Sequence, residues 1–226
     1  MIQQSPIADL FTRQLSDSLV RETKNSHGIK FAKNANIYLS GDKSESVYYI
    51  VSGRVKLLTN SPEGKECLLA IYTAGDVFGE MCLSGLGPRQ ETATAMSETV
   101  IKQISRSTFF SRLNDDLLLE GFIRYLAVRI SDQQDVISNL VTVDSEQRLG
   151  KTLLQLARKL GKKDPLSIRI DQWISHEELA AMVGTTRPRI TEFMRRFRER
   201  RLIEIGPGHF ITVKEKRLAA YLDRVI

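Results

Sequence analysis

Apolar positions along this chain change their spacing from one part to the next. Between Val47 and Ile104 they form short β-type runs: Val47-Tyr48-Tyr49-Ile50-Val51, Val55-Lys56-Leu57-Leu58, Leu68-Leu69-Ala70-Ile71-Tyr72 and Val100-Ile101-Lys102-Gln103-Ile104. Turn-forming clusters separate them: Ser40-Gly41-Asp42, Val51-Ser52-Gly53, Pro62-Glu63-Gly64 and Ala74-Gly75-Asp76. Short strands with regular turn signals predict an antiparallel sandwich or roll over residues 28–105, after a short polar helical lead-in. Nothing here resembles a βαβ unit.

From Asp115 to Asp144 the spacing becomes helical. Leu119, Ile123, Leu126, Ile130, Gln133, Ile137 and Leu140 alternate steps of four and three, the a/d seam of a helix packed along its length against another like it. Gln133 is the polar member of that seam. It sets register or faces a ligand. Beyond the hinge at Val143-Asp144-Ser145, Gln147 to Leu160 is amphipathic and is ended by Gly161-Lys162-Lys163-Asp164-Pro165; Leu166 to Ile170 alternates like a strand.

Ser175-His176-Glu177-Glu178 is a capping box that opens a helix through Met182. Gly184 supplies a turn and Thr186 a second N-cap. Pro188 is tolerated because first-turn N–H groups have no intrahelical acceptor. A second helix is predicted from Arg187 to about Arg201, with Ile190, Phe193, Met194 and Phe197 on its core face. Helix, glycine turn and helix make a helix-turn-helix. Leu202 to Ile205 and Phe210 to Val213, around Gly206-Pro207-Gly208-His209, read as a hairpin wing. The fold class is therefore α+β: an antiparallel β-roll sensor over 1–114, a long dimerisation helix and hinge over 115–144, and a winged helix-turn-helix over 145–226.

Charge sharpens the last part. Residues 1–145 carry 15 Lys/Arg against 17 Asp/Glu, whereas residues 146–226 carry 18 against 10. Seven arginines (187, 189, 195, 196, 198, 200 and 201) crowd the second helix away from its apolar face. A basic domain joined to a mildly acidic one points to a polyanion, here double-stranded DNA. Arg187, Arg189, Thr191 and Glu192 are the base-reading candidates: Arg187 can donate bidentately to guanine O6/N7, and Glu192 can accept from cytosine N4. Thr186, Arg195 and Arg196 are the phosphate candidates, with Arg198 and His209 behind them. Two such helices about a two-fold axis sit about 34 Å apart and call for a palindromic operator.

The glycine pattern adds a resemblance. Gly41-Asp42, Tyr48-Tyr49-Ile50-Val51-Ser52-Gly53, Gly75-Asp76-Val77-Phe78-Gly79-Glu80 and Ala93-Thr94-Ala95, followed by the long helix, resemble the CRP/FNR regulators over nearly the whole chain. The resemblance implies a homodimeric transcription regulator with a cyclic-nucleotide-type pocket, and it brings in RNA polymerase as a candidate partner. In relatives that bind cyclic AMP, the glutamate matching Glu80 holds the ribose hydroxyl and an Arg-Ser pair takes the cyclic phosphate. Gly79 and Glu80 match, but Glu91-Thr92 stand at the Arg-Ser positions. A carboxylate facing a phosphate at ~4 Å costs roughly 4 kcal/mol at an effective dielectric near 20, which disfavours cyclic AMP. Arg89 could substitute only with a rearranged loop. On the helix, Gln133-Gln134 replace the Thr-Ser pair that holds adenine, and Arg129 is a reserve cation. Pro188 and Glu192 also depart from the family's recognition-helix pattern, so its operator does not carry over.

Three ligand readings stay open. The pocket binds nothing; it binds an organic acid anchored on Arg129; or it binds a guanine nucleotide, with cyclic di-GMP favoured. In the third, Arg89 donates to O6/N7, Glu91 accepts from N1 and N2, and the glutamines read either edge. A dimeric signalling adaptor whose basic domain binds a protein or membrane is the alternative from another class.

Other classes are set aside. No nucleophile elbow, phosphate loop or metal motif is present, so no enzyme and no catalytic or metal residue is expected. Cys67 and Cys82 are too few for a disulfide framework and are expected to be reduced thiols in the cytoplasm. His27, His176 and His209 have no ligand spacing. There is no apolar run near the ~20 residues of a membrane span, and no signal-peptide pattern.

Overall fold

The computed structural model describes residues 28–224, apart from 86 and 115. The helical lead-in expected before residue 28 lies outside the described residues. The chain divides into two compact units, one within residues 1–130 and one within 131–226.

The first unit is built from eight short strands: β1 (Ile29–Phe31), β2 (Asn36–Tyr38), β3 (Ser46–Ser52), β4 (Arg54–Asn60), β5 (Glu66–Thr73), β6 (Val77–Phe78), β7 (Thr92–Ala95) and β8 (Thr99–Ser105). They form two four-stranded antiparallel sheets, ordered β1-β8-β3-β6 and β2-β7-β4-β5. The four β-type runs read from the sequence fall in β3, β4, β5 and β8. Glycines at φ 93 (Gly41), φ 90 (Gly53) and φ 92 (Gly75) make the turns, a backbone region open to glycine at little cost.

One core cluster gathers Tyr38, Tyr48, Ile50, Val55, Leu57, Tyr72, Phe78, Ala93 and Ile101. Phe78 is fully buried at its centre, stacked on Tyr48 at 5.1 Å and on Tyr72 at 6.2 Å. Burying a side chain of that size is worth about 1.5–3 kcal/mol. A second cluster brings in helix α1 (Arg106–Arg112) and the start of the long helix α2 (Asp116–Thr142): Phe109, Leu118, Phe122 and Tyr125 pack with Val47, Tyr49, Val77 and Ile104. The first half of the long helix is thus part of the roll's core, where the sequence suggests a separate shaft. Of its seam, Leu126 is half-buried against this core, while Leu119, Ile123 and Ile130, and in the second unit Ile137 and Leu140, are exposed.

In the second unit, α3 (Ser145–Leu160) starts at Asp144, whose carboxylate accepts from Gln147 N at 2.8 Å. The helix ends at Leu160 with Gly161 as its cap, as the sequence suggests, and the segment beyond it is also a strand, β9 (Gly161–Asp164). The backbone turns extended at Gly161 (φ −93, ψ 151), and β9 pairs with β10 (Ser167–Ile170) from Gly161 opposite Ile170 to Asp164 opposite Ser167. Helices α4 (His176–Val183) and α5 (Arg187–Glu199), strands β11 (Ile203–Ile205) and β12 (Ile211–Val213), and α6 (Glu215–Arg224) follow. The sheet is ordered β11-β12-β10-β9. No helix among the described residues is long and apolar enough to cross a membrane.

Candidate functional site

The roll presents its chemistry where β6 ends. Gly79 stands at φ 75, turning the chain into a 3₁₀ segment, Glu80–Ser84. A Cβ at Gly79 would lie 3.0 Å from the Arg89 guanidinium and 3.0 Å from the Tyr48 ring. The glycine is therefore required twice, by backbone sign and by close approach.

Arg89 does not point outward toward a ligand loop. It is 5% exposed, lies over the Tyr38 ring at 4.4 Å, and donates to Gly79 O at 2.5 Å, to Ser44 Oγ at 3.2 Å and to Ser46 O. Its backbone is pinned as well, with N donating to Asp42 O and O accepting from Gly41 N. The loop around Arg89 is thus held with the guanidinium inside the roll, a placement the sequence does not reveal. Glu91 is likewise buried and accepts from the Tyr38 hydroxyl at 2.7 Å. Burial, then the Glu91 charge, pushes the Tyr38 phenol well above its ordinary range. The expected face-off between Glu91 and an incoming phosphate is corrected accordingly: the carboxylate is turned inward and occupied by a tyrosine. Thr92 is half-buried and accepts from Ser40 N at 3.1 Å.

Glu80 and Arg129 meet directly, at 2.9 Å. Arg129 also donates to the Tyr72 hydroxyl and to Val77 O at 3.4 Å, and it lies over the rings of Tyr72 and Tyr125. It is no solvated helix arginine. Burial opposes its charge, but Tyr72 and Glu80 outweigh that and hold it above its ordinary value. The second carboxylate oxygen of Glu80 is buried without a hydrogen-bond partner among the described residues. So Glu80, Arg89, Glu91 and Arg129 are brought into one roll interior, together with tyrosines 38, 48 and 72. Gln133 and Gln134 are exposed and belong to the second unit.

The second site lies on α5. Ser175 accepts from Glu178 N at 3.1 Å while Glu178 accepts from Ser175 N at 3.0 Å, so the capping box is present. Gly184 closes α4 at φ 70. Ile190, Phe193, Met194 and Phe197 are buried, which leaves Arg187, Arg189, Thr191, Glu192, Arg195 and Arg198 exposed along the other face. Thr186 occupies the N-cap position, but its side chain makes no capping bond. The helix ends at Glu199, short of Arg201, which stands at φ 56.

Most of these candidates have partners within the chain. Arg187 Nε lies 3.0 Å from Glu177. The Thr191 hydroxyl is 2.8 Å from His176 Nδ1 and donates to Arg187 O. Burial and then Arg187 hold the His176 imidazole below its ordinary value. Glu192 takes two hydrogen bonds from Arg195, which keep its carboxyl low. It is therefore not a free acceptor for cytosine, and would have to release Arg195 first. Arg196 is half-buried and paired with Glu146 on α3. Sequence reasoning misses Glu146, Glu177, Tyr38 and Tyr72. Glu146 has the ordinary signature of a first-turn carboxylate, and its partner lies fifty residues away. His209 is exposed at φ 60 in the wing turn.

Comparison with known proteins matches both parts of the chain. The cyclic nucleotide-binding domain model matches residues 29–116, and the Crp-like helix-turn-helix domain model matches residues 147–221. The chain is 28% identical to the CRP-like cAMP-activated global transcriptional regulator of Mycobacterium tuberculosis, over 94% of this chain and 95% of that one. It is 30% identical to the cyclic AMP receptor protein of Thermus thermophilus, over 84% and 83%. Its fold resembles that of the c-di-GMP responsive global regulator CLP of Xanthomonas campestris, with a TM-score of 0.73 at 20% identity, covering 88% of this chain and 98% of that one.

Proposed function

This chain belongs to the CRP/FNR family of transcription regulators, and we propose that it works as a homodimer that reads a palindromic operator through the major groove under control of a small effector. The observation that carries the reading is α5: a helix with four buried apolar residues on one side and exposed Arg187, Arg189, Arg195 and Arg198 on the other, set behind a glycine-turned helix. That is the geometry in which a second helix enters the major groove by its N-terminal end. The exposed Leu119, Ile123, Ile130, Ile137 and Leu140 supply the dimer seam. Arg187, Arg189 and Thr191 are the proposed base readers, with Thr186 and Arg195 on phosphate.

For the effector we favour a guanine nucleotide, cyclic di-GMP above cyclic AMP. Two guanidiniums and two carboxylates meeting among tyrosines are the donor and acceptor set that guanine's O6, N7, N1 and N2 call for. A ligand enters only by exchanging with the Glu80–Arg129 pair or with the inward Arg89 contacts. Because these groups are already partnered, apart from the second oxygen of Glu80 among the described residues, the second reading is a regulator that needs no ligand. Calorimetric titration with cyclic AMP, cyclic GMP and cyclic di-GMP separates them. Heat with the dinucleotide supports the favoured ligand, and silence with all three supports the ligand-independent form.

A further inference from the structure

Glu146 stands in the first turn of α3, two residues beyond the capping Asp144. Its two oxygens have different partners. Oε2 lies 2.8 Å from Arg196 Nη2 on α5, and Oε1 accepts from the Tyr221 hydroxyl on α6 at 3.1 Å. Tyr221 in turn accepts from Arg200, whose guanidinium lies over its ring at 4.9 Å. One carboxylate therefore joins three helices, within two residues of the cap that follows the long helix.

Arg196 is unlike the arginine before it. Arg195 is 52% exposed and pairs with Glu192 and Glu199 of its own helix. Arg196 pairs across helices with a carboxylate whose side chain is only 14% exposed, and it lies over the Phe193 ring at 5.1 Å, on the buried face. Among the described residues its Nε is buried without a hydrogen bond, and it lies 3.8 Å from a Glu192 carboxylate oxygen. A guanidinium paired this way packs toward the protein, and removing Arg196 would leave the Glu146 carboxylate, 14% exposed, without its cation.

We propose that Arg196 is a strut and not a phosphate contact, and that Glu146, acting through it, is the positioning residue that sets the angle at which α5 meets the major groove. This rests on the reading of α5 as the recognition helix. A change in the direction of the first turn of α3 is carried to α5 through one ion pair, so base readout depends on Glu146 although Glu146 touches no base.

The test uses the full chain, an operator selected by the wild-type protein from randomised duplexes, and a pool of random-sequence duplexes. Glu146→Gln, isosteric and still able to bond Tyr221, and Arg196→Gln are each expected to reduce the ratio of operator to random-sequence affinity by about tenfold, the size of a mid-range coupling between residues in one network. The salt slope on random-sequence DNA stays at the wild-type value. The exchange Glu146→Arg with Arg196→Glu restores most of the ratio. If instead Arg196→Gln lowers the salt slope by about one and weakens both DNAs equally, Arg196 is a phosphate contact and the proposal is overturned. Glu146→Gln that leaves the ratio unchanged overturns it as well. Wild-type protein that binds no DNA at low salt contradicts the recognition-helix reading itself, and this proposal falls with it.

Discussion

The carboxylate of Glu80 and the guanidinium of Arg129 lie 2.9 Å apart with 13% and 17% of their side-chain surfaces exposed. They sit 49 residues apart in sequence, yet together they close the glycine turn of the roll against the first half of the long helix. A pair this buried recovers its desolvation cost only while both partners and their hydrogen bonds are present. Arg129→Ala is therefore expected to destabilise the first unit by about 3–5 kcal/mol in urea unfolding. The apolar double variant Glu80→Leu/Arg129→Met should recover most of that loss. A neutral Arg129→Ala would mean that the pair is loosely held.

Gly79→Ala separates backbone strain from crowding. Gly79 (φ +75) has Arg89 and Tyr48 within 3.0 Å of the added methyl, whereas Gly64 (φ +80) has open space around it. Both substitutions pay the left-handed penalty of about 1–2 kcal/mol. Gly79→Ala should cost more by the amount needed to push Arg89 aside, measured as the difference between the two unfolding free energies. Equal losses would mean that Arg89 gives way freely.

Arg187→Ala tests direct readout. The variant should lose about 1–3 kcal/mol of discrimination at one base pair per half-site and keep its salt slope nearly unchanged. Binding to a set of singly substituted operators measures this. Uniform weakening across the set would make Arg187 a phosphate contact.

Gln133→Leu addresses the seam. It replaces an exposed amide at an a/d position with a hydrocarbon and should tighten self-association in sedimentation equilibrium. If Gln133 also faces the effector, the same change blunts the effector response. A tighter dimer with an unchanged response would leave Gln133 as a register-setting residue.

Much of the architecture was legible because it is local. The turn glycines, the short β-type runs, the Ser175–Glu178 box and the apolar stripe Ile190, Phe193, Met194 and Phe197 are set by neighbours a few residues apart. What escaped was non-local. The inward turn of Arg89 depends on Gly41 and Asp42 pinning its backbone, and the Arg196–Glu146 pair spans fifty residues. Strand β9 has no strand-like composition, and only its pairing with β10 makes it one. Charge spacing marks arginines as candidates; which of them face inward depends on the carboxylates and rings that the fold brings to them.

The most direct measurement is selection of bound duplexes from a fully randomised library by the purified chain at low salt, with and without cyclic di-GMP. The account predicts enrichment of an inverted repeat whose half-sites are centred one helical turn apart, about 34 Å. Failure to retard any duplex in either condition would contradict it.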